Sequence, residues 1–386
     1  MERIRRLGHT PRRVTVRGVV GRGVVALMAA SLAALPLQST AGATTGAMTG
    51  SFATSRSSAS YSAADAAMRA RVRDHGLDGG ALIVRRGSRT LHRATFGDWT
   101  MRTVVPIASA SKWLTAATLM TLVDEGHLEL DAPVADYLPG FDGAKRAVTV
   151  RMLLSHTHGL VSPGCEGDPS TTLTACAQEV AEGPDPALPP GREFHYGGTG
   201  FVVAGAIVEA LSGSRFEQAF EDRVARPSGM RVTAFDGSVT ADGQRRRTRS
   251  RNPAPAASAV SSPADYARFL AMLAAGGVTD GHRVLSEASV AEIERDQVAG
   301  IDTNGDGAVQ ITGIPTYGLG VWRDVVGPGD AIRVVSGSGA LGFYPWIDRL
   351  HGTYGLVAVA DGSGPETAVP ASATIARRCW SVAARS

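Results

Sequence analysis

The chain has 386 residues, 44% of them apolar, with 39 basic and 36 acidic side chains and a formal charge of +3. That is enough apolar material for one large domain or two subdomains, and too much for a disordered polymer. The near-balance of charge also removes the main support for a nucleic-acid partner.

Residues 1–23 hold seven Arg and a single acidic residue, Glu2. Val24 to Leu35 is an apolar run of about a dozen residues, too short to span a bilayer, and Ala41-Gly42-Ala43 follows as a small-residue cleavage site. Residues 1–43 read as an export signal. Arg12-Arg13 leaves twin-arginine export open beside the general route, and no Cys follows the run to carry a lipid anchor. Removing this leader takes the formal charge to about −3 and implies no stable membrane insertion afterwards. Residues 44–61, mostly Thr, Ser, Ala and Gly, read as a disordered tether.

The candidate folded domain is then 62–386. Ala63 to Gly76 is expected as a helix, and Ala81–Arg86, Gly87-Ser88 and Arg89–Phe96 as a hairpin. A helix from Ser109 to about Glu125 turns Trp113, Ala116, Ala117, Met120 and Val123 inward and stops at Gly126. Val148–Ser155 reads as a short helix, as do Thr199–Leu211, Arg215–Val224, Pro263–Ala275 and Glu287–Arg295. Tyr317–Trp322, Ile332–Val335, Gly342–Ile347 and Tyr354–Ala360 read as successive antiparallel strands, and Ala371–Ala384 as a closing helix. The fold class implied is α/β (α+β). An antiparallel sheet from residues 62–105 and 311–386 is flanked by helices, with residues 106–310 inserted as a helical part.

Ser109 and Lys112, three apart at a helix start, share one face. A hydroxyl becomes a nucleophile when a neighbour removes its proton, and a neutral amine can do this. All but two of the basic residues are Arg, which does not deprotonate; the lysines are Lys112 and Lys145. Cys165 and Cys176 bracket a Gly-, Pro- and Thr-rich stretch and are expected to be bonded in an exported chain, leaving Cys379 as a buried thiol.

Other patterns carry less. Gly337-Ser338-Gly339-Ala340-Leu341-Gly342 has the spacing of a dinucleotide fingerprint but is followed by a strand-like run rather than a helix. Asp302-Thr303-Asn304-Gly305-Asp306-Gly307 copies half a calcium loop, yet Gly313 stands where a bidentate Glu is needed, so a turn is expected. His156 and His158 could face one metal, but no third ligand lies near in sequence. Arg245 to Arg249 reads as a solvated loop. No Gly-x-Ser-x-Gly elbow occurs. No metal or organic cofactor is expected.

With Ser109-Ala110-Ser111-Lys112 in this layout, the chain resembles the serine β-lactamase and penicillin-binding-protein superfamily, in its class C β-lactamase, DD-peptidase and esterase branch. Leu122 to Val134, Leu153 to Leu160 and Pro190-Gly191-Arg192-Glu193-Phe194-His195-Tyr196 carry the likeness further. The resemblance implies that Tyr196 shuttles a proton between Ser109 and Lys112. It also implies that the N–H groups of Ser109 and of Gly339 or Ala340 hold an oxyanion, with Ser338 beside the substrate. Two departures matter. Gly198 stands where the branch usually has Asn, and Ser336 to Gly339 contains no cation where Lys or His binds a substrate carboxylate. The expected activity is therefore hydrolysis of a small-molecule or peptide-like ester or amide through an acyl-enzyme. The alternatives are a DD-peptidase or β-lactamase, and a binding module without turnover.

Overall fold

The computed structural model describes residues 60–386 except 236, 241–242 and 248–249. The expected leader and nearly all of the tether lie outside the described residues.

Helix α1 (Ser62–Asp74) leads into a hairpin of β1 (Gly79–Arg86) and β2 (Arg89–Gly97). Four more strands come from the other end of the chain: β3 (Trp322–Val326), β4 (Ile332–Ser336), β5 (Tyr344–Asp348) and β6 (Thr353–Ala358). The sheet order is β2-β1-β6-β5-β4-β3, with every pair antiparallel. The two ends of the chain thus meet where Ala81 faces Ala358 and Arg86 faces Thr353.

The central strands are apolar on both faces because both are covered. From β1, Leu82 and Val84 pack with Met68, Val369 and Ile375 under α1 and α10 (Pro365–Ala383). Ala81 and Ile83 point oppositely, into the large core shared with the helices between the two sheet halves. Those helices are α2 (Ser111–Asp124), α3 (Val150–Ser155), α4 (Leu173–Glu182), α5 (Thr199–Ser212), α6 (Phe216–Phe220), α7 (Pro263–Ala274), α8 (Glu287–Glu294) and α9 (Gly307–Thr312).

Helix α2 is buried on every side rather than along one inward stripe, and Val123 is only partly covered. Its threonines tolerate this because each hydroxyl donates: Thr115 to the Pro255 carbonyl at 2.7 Å, Thr118 to that of Leu114, Thr121 to that of Thr118.

Several expected bounds shift for identifiable reasons. Tyr317–Trp322 is not a strand; β3 starts at Trp322. Gly320 sits at φ +75°, and a Cβ there would lie 2.7 Å from the Lys112 carbonyl, so this segment turns close over α2 instead of extending. Gly342, at φ +84°, likewise delays β5 to Tyr344. Helix α10 starts six residues before Ala371, with Pro370 inside it. Arg215–Val224 breaks after Phe220 into a π-type turn, Glu221–Ala225. Arg245–Arg247 pairs with Gly237–Val239 as a small ribbon, not a loop.

Cys165 and Cys176 are bonded, with Cα atoms 5.6 Å apart, and Cys379 is a buried free thiol. Cys176 stands in α4, a helix concealed by the polar stretch before it and capped by Thr172, whose hydroxyl accepts the Ala175 N–H. Closing so short a loop is worth about 2–3 kcal/mol. Replacing both cysteines by Ser is expected to lower the urea unfolding free energy by that amount. An unchanged midpoint would show that the bond constrains nothing.

Candidate active site

Ser109 lies in a single 3-10 turn, Ala108–Ala110, placed directly before α2. Ala108 is at φ +46°, a conformation that costs a non-glycine residue about 1–3 kcal/mol. Neighbours fix the turn. Ser111 Oγ donates to the Ala108 carbonyl and accepts the Ala259 N–H, Tyr266 Oη donates to the Ala110 carbonyl at 2.8 Å, and the Ile107 N–H reaches the Ala259 carbonyl.

Lys112 Nζ is 3.3 Å from Ser109 Oγ and 3.2 Å from the Ala256 carbonyl oxygen. It also lies 4.4 Å from the centre of the Tyr196 ring and 5.5 Å from that of Phe201. Lys112 has no carboxylate partner among the described residues, and burial lowers its pKa from 10.5 to about 7. The amine is therefore uncharged for a large fraction of the time near neutrality. Ala256 could not be found from sequence, since a backbone carbonyl leaves no residue-type signal.

Tyr196 closes the third side. Burial raises its phenol pKa; an interaction with Ser109 opposes this, and the charge of Asp306 adds to it. Its ring stacks on Trp322 at 5.4 Å and meets the His156 ring at 4.5 Å, tilted by 43°. Three successive N–H groups hold its main chain. His195 donates to the His156 carbonyl, Tyr196 to Asp306 Oδ2 at 2.9 Å, and Gly197 to His156 Nδ1 at 3.3 Å. The second Asp306 oxygen caps α9 through the Ala308 N–H. The Asp302–Gly307 turn thus reaches the site through Asp306, a link across 110 residues that sequence reasoning did not supply. His158 Nδ1 accepts the Leu160 N–H, so the Nδ1 atoms of His156 and His158 serve main-chain groups while both Nε2 atoms are buried without a hydrogen-bond partner. Among the described residues no cluster of three or more His, Cys, Asp or Glu could hold a metal ion.

Past Ser336, where β4 ends, the chain runs on beside β5. Gly337 N–H donates to the Pro345 carbonyl and Gly339 N–H to that of Phe343 at 2.8 Å. Gly339 is consequently not an oxyanion donor, which corrects that half of the expectation. A Cβ at Gly339 would lie 2.2 Å from the Ile107 carbonyl, so only glycine lets this segment come so close to the turn that carries Ser109. Ser338 is buried on this segment, and Ala340 follows it half-buried. Among the described residues, neither the Ser109 nor the Ala340 N–H is engaged in a backbone hydrogen bond. Beside Tyr196 opens a cleft of about 1120 Å³, walled by Leu160, Leu188, Phe194 and the backbone of Gly197 and Gly198. Its ionisable lining is Glu166, Glu193, Asp302 and Asp306 against Arg192, with His158 and His195. Among the described residues no helix is long and apolar enough to cross a membrane.

The Beta-lactamase family model matches residues 64–377. The chain is 33% identical to penicillin-binding protein 4 of Amycolatopsis lactamdurans over 69% of its own length and 80% of that protein. It is 32% identical to esterase EstB of Burkholderia gladioli over 42% of its length and 48% of the esterase. The solved structure of a putative beta-lactamase from Bacteroides dorei DSM 17855 superposes with a TM-score of 0.72 at 29% identity, covering 83% of this chain and 99% of that one. This protein belongs to the Beta-lactamase family and is a serine hydrolase.

Proposed function

We propose that this protein is an exported hydrolase that cleaves a small ester or amide through an acyl-enzyme on Ser109. The observation that carries the reading is Lys112: a buried amine without a carboxylate partner among the described residues, 3.3 Å from a hydroxyl at the start of a helix. Ser109 Oγ attacks the carbonyl carbon and its proton passes to Lys112 Nζ. The carbonyl oxygen becomes an anion facing the N–H groups of Ser109 and Ala340, a pair in which one donor is worth about 10²–10³ in rate. Collapse expels the alcohol or amine, which takes the proton from Lys112 by way of Tyr196 Oη. Water then adds to the acyl carbon, gives a proton back along the same route, and Ser109 is restored with release of the acid.

The segment from Ser336 to Ala340 has no cation to anchor a carboxylate, which favours esters and amides over penicillins. The penicillin-binding relative supports DD-peptidase or β-lactamase chemistry as the second reading. The Cys165–Cys176 bond supports an oxidising destination.

A fluorophosphonate probe is expected to label the wild type and to leave Ser109→Ala unlabelled. Short-chain p-nitrophenyl esters should turn over, with fluorescent penicillin reacting weakly. Rapid penicillin hydrolysis would favour the second reading, and a folded wild type that resists the probe would point to a binding module instead.

A further inference from the structure

Glu166 stands in the wall of the cleft, and the mechanism above does not use it. It is half-buried, and the chain on either side of it and one of its oxygens are fixed. Cys165, just before it, is bonded to Cys176. Asn252 Nδ2 donates to the carbonyls of Cys165 at 2.7 Å and Asp168 at 3.1 Å, fixing the chain around it. Its Oε1 accepts two hydroxyls, Ser162 Oγ at 2.7 Å and Thr199 Oγ1 at 3.0 Å. Its Oε2 meets no donor among the described residues.

That oxygen belongs to a group that reaches toward the lysine's support across Gly198. Gly198 has no side chain, and a Cβ there would find Glu166 Cγ at 3.7 Å and Ala256 Cβ at 3.9 Å as its nearest atoms. Ala256 is the residue whose carbonyl holds Lys112. Only the open space over Gly198 therefore separates the carboxylate from the lysine's own support. On the far side of Ser109 the segment that follows β4 leaves the Ala340 N–H without a backbone partner among the described residues and carries no cation. The site thus offers a fixed acceptor on one wall and nothing to neutralise a substrate anion on the other.

From this geometry we infer that Glu166 is a specificity-determining residue, whose Oε2 receives a protonated amine carried by the substrate near its scissile carbonyl. The substrate class is then an amino-bearing ester or amide, and this rests on the reading of Ser109 as nucleophile. Hydrogen bonds of this charge-assisted type are worth roughly 1.5–3 kcal/mol, a preference of about 10- to 100-fold. Because the carboxylate is fixed before the substrate arrives, little ordering entropy offsets that gain.

The test compares the phenyl esters of glycine and β-alanine with their N-acetyl counterparts at pH 7, in wild type and Glu166→Gln. Gln keeps the shape and the Oε1 acceptor and loses only the charge. The wild type is expected to favour the free amine by at least about 10-fold in kcat/KM, and the variant to bring that ratio close to one. A wild-type ratio of one, or a ratio unchanged in Glu166→Gln while its thermal midpoint falls, would mean that Glu166 only braces the start of α5 and would overturn the assignment. Calorimetry on Ser109→Ala reads the same preference without turnover: β-alanine anilide should bind about 10-fold tighter than its N-acetyl form, and equal binding overturns it. Loss of fluorophosphonate labelling in a wild type that still prefers the amine would sink the nucleophile reading and leave this one standing.

Discussion

Lys112→Arg is expected to lower kcat/KM for a short-chain ester by at least about 10³-fold, although the positive charge is kept. Arg does not deprotonate in a protein, so the variant has no base to take the Ser109 proton. Wild-type kcat/KM should rise with pH through about 7, where Lys112 loses its proton, and then level off. Near-full activity in Lys112→Arg, or a flat profile from pH 5 to 9, would remove Lys112 from the reaction.

The same burial costs stability, and the sign is fixed. Below pH 7 both folded and unfolded chains carry the proton, and the folded state bears the whole desolvation penalty. Between about 7 and the ordinary 10.5 the unfolded chain binds more protons, so stability rises with pH across that window. Lys112→Met removes the penalty. Its unfolding free energy at pH 7 should exceed that of the wild type by on the order of a few kcal/mol, with turnover abolished. A less stable Lys112→Met would mean that the contacts of Nζ with Ala256 and the Tyr196 ring outweigh its desolvation.

Tyr196→Phe is the second large effect, expected at about 10²–10³-fold in kcat/KM, the usual yield of one positioned proton donor. The ring remains, so its stack on Trp322 and its contact with the lysine remain with it. The thermal midpoint should therefore move little, which separates lost chemistry from lost structure. Rates within about threefold of wild type would restrict Tyr196 to packing. Asp306→Ala should be milder than either, roughly 10-fold down in kcat with KM little changed, because it frees the Tyr196 main chain without removing the phenol. A larger change in KM than in kcat would place Asp306 in substrate binding instead.

How far the residues alone lead can be judged from pairs of interactions. The contact between Ser109 and Lys112 is three residues long, and helical spacing places it before any tertiary argument. Cys165 with Cys176 and the β1–β2 hairpin are similarly local. Tyr196 became legible only through resemblance to relatives, since nothing in its own neighbourhood marks a tyrosine 84 positions from Lys112 as a partner. Its anchor on Asp306 was not legible: Asp302 to Gly307 reads as a turn from sequence, but the turn's acceptor role depends on which N–H comes to lie opposite it.

Residue types and their periods, then, settled most of the helices, though not α4 or α9, the hairpin, the two-ended sheet and the close approach of alcohol to amine, because these follow from spacing along one chain. Tertiary structure decided the rest: that Lys112 is dry enough to lose its proton near pH 7, that the Ala256 carbonyl supports it, and that the Gly339 N–H is spent on Phe343 while the Ala340 N–H is left. Each of these depends on main-chain groups or on burial by segments up to 144 residues away. A peptide group looks alike in every residue, so where it points emerges only when the chain is packed.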